Sequence, residues 1–191
     1  MKPSDQDTEL RTALRPWTDR AAGMIDRRLA DARAHAAAGK LDVGHRRLAE
    51  LTGSLVQHVS DARAAFYRQA FRQHQAALDP DVHQLGLGPT HEGERAARTV
   101  AILGRNYFAD ITDLVEDARA SLTSAALADQ GGDLHHFLPH EGGGGYGGSY
   151  LESWAQNNRD RLAGLTARNL SDAQIAIFEA VGQILIKPEL R

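Results

Sequence analysis

The stretch LDVGHRRLAELTGSLVQHVSDARAAFYRQAFRQHQAA, residues 41–77, decides the fold. Leu41, Leu48, Leu55 and Ala62 recur every seven residues, and Gly44, Leu51, His58 and Ala65 form a companion series offset by three. In an α-helix both series fall on one seam, because residues three and four apart lie one above the other. In a strand the same residues would be scattered over both faces. The seam holds for three heptads, which predicts a long helix over residues 42–77 that packs along much of its length. Phe66, Tyr67 and Phe71 thicken its far end.

Working outward, the preceding segment reads the same way. Leu14, Trp17, Ala21, Ile25, Leu29, Ala32 and Ala36 advance in three- and four-residue steps, predicting a first helix over residues 16–38. Pro16 suits its first turn and Gly39 its C-terminal cap. Downstream, Pro80, Gly86, Gly88, Pro89 and Gly93 interrupt any helix across residues 78–93. Thr90 is a candidate N-cap, with Glu92 and Glu94 placed to favour the helix dipole. Val100, Leu103, Tyr107, Ile111, Leu114, Ala118, Leu122 and Ala125 mark a third helix over residues 94–128, closed by Gly131 and Gly132.

Residues 129–148 include Gly142 to Gly145, Gly147 and Gly148, a run whose ordering costs much conformational entropy. It reads as a hinge, or as a loop fixed only by a partner. Two short helices are expected beyond it, because Ser149…Glu152 and Ser171…Gln174 are both capping-box patterns. The first carries Leu151, Trp154, Leu162 and Leu165. The second carries Ile175, Phe178, Val181, Ile184 and Leu185, is apolar nearly all round, and ends at Lys187-Pro188. The expected class is all-α: three long helices in an antiparallel bundle plus two short C-terminal helices after a Gly-rich loop. The domain reading is 1–128 for the bundle, 129–148 for the Gly/His-rich hinge and 149–191 for the C-terminal module. No stretch alternates apolar and polar residues as a strand would, so at most a short hairpin in a loop is expected.

Composition agrees. Of 191 residues, 42% are hydrophobic but only 6% aromatic, so the core must be built from Ala, Leu, Ile and Val, which favours helices. The formal charge of −3 argues against a protein whose whole surface serves nucleic acid or an acidic membrane. There is no cysteine, which excludes disulfides and thiolate metal sites. No apolar run is long enough to span a bilayer and the N-terminal residues are polar, so a cytoplasmic location is expected.

The chain shows no catalytic constellation and is read as non-enzymatic, with no cofactor. His135, His136 and His140, beside Asp133 and Glu141, have the chemistry of a divalent-metal site. Their setting, broken by Pro139 and glycines, is a poor cage. A helical metalloprotein using these histidines, with His83 or His91, is the alternative reading. His58 sits on the helical seam, where a hydrogen-bonded core histidine is expected, while His35, His45 and His74 read as surface positions. The glycine run is not a phosphate loop, because no Gly-Lys-Ser/Thr follows it.

Tyr146, Tyr150 and Trp154 are four apart and form an aromatic stripe that could anchor a partner or pin the loop locally. With Ile175, Phe178, Val181 and Leu185 they are the candidate partner-binding residues. Arg27-Arg28, Arg46-Arg47 and Arg159 with Arg161 are short basic clusters mixed with acids. They read as solvated helix faces or ion pairs in preference to a nucleic-acid stripe, so nucleic acid is possible but not favoured. Asp-Ala-Arg-Ala recurs at residues 31–34, 61–64 and 117–120, each time with its first Ala on the apolar stripe. The spacing is irregular, which excludes a repeat architecture. It is either chance in an Ala/Arg/Asp-rich chain or a device for close helix approach.

The segment WAQNNRDRL, residues 154–162, followed by Leu165 and then Leu170-Ser171-Asp172, resembles a stretch in bacteriophage head-morphogenesis (minor capsid) proteins. These have a Trp-led helix with an Asn, a short linker and a capped second helix. The resemblance covers about 40 C-terminal residues. It implies a virion or head-assembly role made by contacts with portal or capsid subunits, without an enzymatic activity; the partners expected are the chain itself or other virion or assembly proteins, in the virion if the chain is viral, and no membrane.

Overall fold

A computed structural model describes residues 3–75, 91–131 and 149–186. Among these the protein is all-helical, with four long helices packed together: α1 (Pro3–Ala37), α2 (Leu41–Gln75), α3 (His91–Asp129) and α4 (Tyr150–Ile186). None of them is long and apolar enough to cross a membrane.

Two boundaries differ from the sequence reading. The first helix begins at Pro3, not near residue 16, and Pro16 lies inside it. Interior proline costs a helix about 3 kcal/mol. Leu14, one turn upstream of Trp17, is buried and continues the apolar stripe past the proline, so packing outweighs the local penalty. The second difference is at the C-terminus, where one helix stands in place of two short ones. Ser171 and Gln174 have the letters of a capping box but lie in mid-helix. Leu162, Thr166, Leu170, Ala173 and Ile177 step along one buried stripe across the expected break, and neither proline nor a left-handed residue interrupts them.

The helix ends follow their local chemistry. Gly39 takes a left-handed φ of 73° after α1, its N–H donating to Ala36 O at 3.0 Å while Lys40 N–H donates to His35 O at 2.8 Å. That pair of bonds is a Schellman closure, with glycine where a Cβ would be strained. Gly131, at φ 79°, closes α3 in the same sense. At the start of α4, Glu152 N–H donates to Ser149 Oγ at 3.1 Å and Ser149 N–H to the Glu152 carboxylate at 3.4 Å, completing the expected capping box. Thr90 and the segment 132–148 lie outside the described residues.

The chain divides into two compact units, and each helix contributes a segment to both. The first unit comprises residues 1–18, 56–109 and 166–191. Its interior is Leu14, Val59, Ala62, Phe66, Ala70, Tyr107, Leu170, Ala173 and Ile177. The second comprises residues 19–55 and 110–165. Its contacts run in a ring. Arg28–Glu50 and Asp31–Arg47 join α1 to α2, His45–Thr123 joins α2 to α3, Trp154–Ser121 joins α3 to α4, and Asp26–Arg159 joins α4 to α1. Along α1–α2, α1–α4 and α3–α4 one residue number rises as the other falls. The four segments of this unit are therefore an up-down-up-down bundle, with α1 and α3 on opposite corners.

Candidate functional site

The recurring Asp-Ala-Arg-Ala segments organise both interiors. Ala32, Ala62 and Ala118 are all fully buried. In the second unit the flanking acids reach neighbouring helices: Asp31 pairs with Arg47 and Asp117 with Arg161, each at 3.0 Å. Arg33 reaches Glu152 at 3.9 Å. Small residues let the backbones approach and charged neighbours fasten the rim, so these segments act as fasteners between helices.

The segment at residues 61–64 differs, because its arginine points inward. Arg63 is buried in the first unit, one turn from Val59 on the inner line of α2. Its Nη2 donates to Asn169 Oδ1 and, at 3.3 Å, to Leu103 O. Its guanidinium lies 5.7 Å from the centre of the Tyr107 ring, a cation–π distance. Asn169 Nδ2 donates back to Leu103 O at 3.4 Å. Gly104 leaves room for this: a Cβ there would stand 2.9 Å from Arg63 Nη1. Burial lowers the pKa of the guanidinium and Tyr107 raises it, but arginine stays charged at any working pH. Burial pushes the Tyr107 hydroxyl up to about 12, with Thr166 and the Arg63 charge pulling the other way. Tyr107 Oη and Arg63 Nε reach no partner at hydrogen-bonding geometry among the described residues.

Close by, His58 is the hydrogen-bonded core histidine that the seam implied. Its Nε2 lies 2.8 Å from Trp17 O and must carry the proton to donate to that carbonyl. The Trp17 indole packs against the His58 ring at 5.3 Å and against Phe66 at 6.0 Å. His45 and His35 are half-buried and engaged, with Thr123 and Asp31 respectively.

The candidate partner-binding residues part company. Tyr150 is 44% exposed, whereas Trp154 is 7% exposed. The Trp154 indole N–H donates to Ser121 Oγ at 2.9 Å and Ala118 O at 3.3 Å, so this residue anchors α4 to α3 and is not available on the surface. Ile175 is 43% exposed and Phe178 half-buried. Val181 and Leu185 lie on α4, but their side chains, like Tyr146, fall outside the described residues. His83, His135, His136 and His140 also fall outside them, as does the side chain of His91. Among the described residues no cluster has the makings of a metal site.

The arginine clusters are largely spent on ion pairs within the chain. Arg28 pairs with Glu50 at 2.8 Å, Arg46 with Asp42 at 3.6 Å, Arg47 with Asp31 and Glu50, and Arg159 with Asp26 at 2.6 Å.

Two features escaped the sequence reading. One is the inward Arg63–Asn169 pair, for which the signal was present: Val59, Arg63, Phe66 and Ala70 step by four, three and four. The other is the exposure of Ile102 (47%) and Phe108 (53%) on α3. Leu103 and Asn169 link α3 to α4 in the first unit, so Ile102, Phe108 and Ile175 belong to two neighbouring helices of that unit. No family model, no curated protein and no solved structure matches this chain.

Proposed function

We propose that the chain is a non-enzymatic assembly protein that works by presenting helical faces to other proteins. On the resemblance of residues 154–162, its setting is the head of a bacteriophage. The observation that carries the reading is the exposure of Ile102, Phe108 and Ile175 on two adjacent helices of the first unit. Exposed apolar side chains on neighbouring helices are the kind of residue that a protein partner covers. The buried polar groups support the same reading. Arg63, His58, Trp154 and Asn169 all hold helix to helix.

The test is light scattering on the full chain across a wide concentration range, alone and with candidate head proteins, for the wild type and for Ile102→Ser/Ile175→Ser. A mass above that of the monomer, or a stable complex, is expected for the wild type. The double variant is expected to weaken it at least tenfold with its melting temperature within a few degrees. A folded chain that stays monomeric and binds no head protein counts against the reading.

A further inference from the structure

In the second unit, the charges left without a partner on α1 and on α3 have opposite signs. On α1, Arg20 and Arg27 are exposed and seven residues apart, which puts them on one line about 10 Å long with Met24 between them. Neither has an acidic partner among the described residues. Met24, Arg27, Arg28, Asp31 and Ser54 line a surface cleft of about 470 Å³ between α1 and α2. Two of its charges are already met, since Arg28 is held by Glu50 and Asp31 by Arg47. Ser54 spends its hydroxyl on Glu50 O. Arg27 is left as the uncompensated charge of the cleft.

On α3, Asp110 and Asp113 are exposed and likewise have no cationic partner among the described residues. The acids of the following turn differ, because Glu116 is held by Arg119 and Asp117 by Arg161. The contacts within this unit set α1 and α3 on opposite corners of its bundle. A basic cleft and an acidic face therefore look away from each other on the same molecule.

We infer that copies of this chain associate head to tail, the Asp110/Asp113 face of one copy docking on the Arg20–Met24–Arg27 face of the next. The inference rests on the assembly reading and names the partner as a second copy. Complementary faces on opposite sides make a head-to-tail contact that repeats from copy to copy, in an open chain or a ring, so the assembly grows past a dimer with concentration. Exposed ion pairs are individually weak and screened by salt, so growth is confined to low ionic strength and high concentration.

Sedimentation velocity on the full chain, at low and high salt, tests this with two charge-reversed variants, R20E/R27E and D110R/D113R. The wild type is expected to sediment faster with concentration at low salt and to revert to monomer at high salt. Each variant alone sets like charge against like charge and is expected to weaken association at least tenfold. Mixed in equal amounts, the two variants regain both opposed pairs and are expected to recover growth. The neutral pair R27Q and D113N, read the same way, covers the case in which a reversed variant fails to fold. Association that is indifferent to salt and to all these substitutions overturns the inference while leaving the assembly reading intact. So does an assembly that stops at a dimer. A chain that is monomeric at every concentration overturns the inference, and the assembly reading then stands or falls on binding to other head proteins.

Discussion

Arg63 on α2 donates to the side chain of Asn169 on α4, a residue 106 positions away, inside the helical interior of the first unit. A buried cation whose hydrogen bonds all go to neutral oxygens is held by geometry more than by charge. Removing one partner leaves the other stranded, whereas removing both can be nearly neutral. Asn169→Ala is therefore expected to cost about 1–3 kcal/mol. Arg63→Met, which keeps the bulk and discards the charge, is expected to cost less than Asn169→Ala, and Arg63→Met/Asn169→Ala less than the sum of its parts. Urea denaturation of the three variants measures the order. A double variant as unstable as the sum would mean that the two side chains are not energetically coupled.

Tyr107 gives the interior a pH signature. Its pKa rises from the ordinary 10 to about 12 because burial disfavours the phenolate. The folded state then holds the proton more tightly than the unfolded chain does. The corresponding stability is fully present below pH 10 and is lost as pH climbs through about 12. A rise from 10 to about 12 corresponds to roughly 2–3 kcal/mol at most. Denaturation midpoints taken from pH 8 to pH 12 should fall above pH 10 in the wild type and fall less in Tyr107→Phe. At neutral pH the same variant should lose at most about 1 kcal/mol, because the contact it removes, with the Thr166 side chain, falls short of full hydrogen-bonding geometry.

Seam and stripe made most of this fold legible. Leu48, Leu51, Leu55, His58 and Ala62 are buried as their spacing required, and the helix class and the ends at Gly39 and Ser149 follow from local chemistry. Where the reading failed, a local pattern competed with a longer one. Pro16 and Ser171-x-x-Gln174 are punctuation marks over four residues, whereas the stripes that run through them last for many turns. Trp154 was illegible for a different reason. Whether an aromatic residue at a helix start faces solvent depends on the neighbouring helix, here on Ala118 and Ser121, which are small enough to admit the indole and offer a backbone carbonyl and a hydroxyl to accept its N–H. The exposed Ile102 and Phe108 sit beside Leu103 and Tyr107 on a helix rich in apolar residues, so composition alone could not separate the inner line from the outer one.

Helical glycines in this chain should respond to alanine in opposite directions. Gly53 and Gly164 have nothing within 4 Å of an added Cβ, so Gly→Ala at each should gain up to about 1 kcal/mol through helix propensity. At Gly104 the new methyl would meet the Arg63 guanidinium at 2.9 Å. At Gly44 it would stand 3.1 Å from both Ala32 O and the Leu122 side chain. Alanine at Gly104 or Gly44 should therefore lower the melting temperature although its intrinsic propensity is better. A rise at Gly104 would show that the guanidinium can move without loss of the Asn169 contact.

The start of α4 is capped from two sources, which makes its energetics separable. Ser149 Oγ accepts from Glu152 N–H at 3.1 Å, while the Asp129 carboxylate at the end of α3 accepts from Tyr150 N–H at 2.7 Å and Leu151 N–H at 3.4 Å. Together they satisfy the first three N–H groups of the helix, which have no partner within it. Ser149→Ala and Asp129→Ala should each cost about 1 kcal/mol, the usual value of an N-cap. Asp129 also ties the end of one helix to the start of the next, so its loss should loosen both. Hydrogen exchange is the measurement that separates the two effects. Ser149→Ala should raise exchange in the first turn of α4 alone, whereas Asp129→Ala should raise it there and in the last turn of α3. Equal, purely local effects from the two substitutions would reduce Asp129 to an ordinary cap and leave the two helix ends uncoupled.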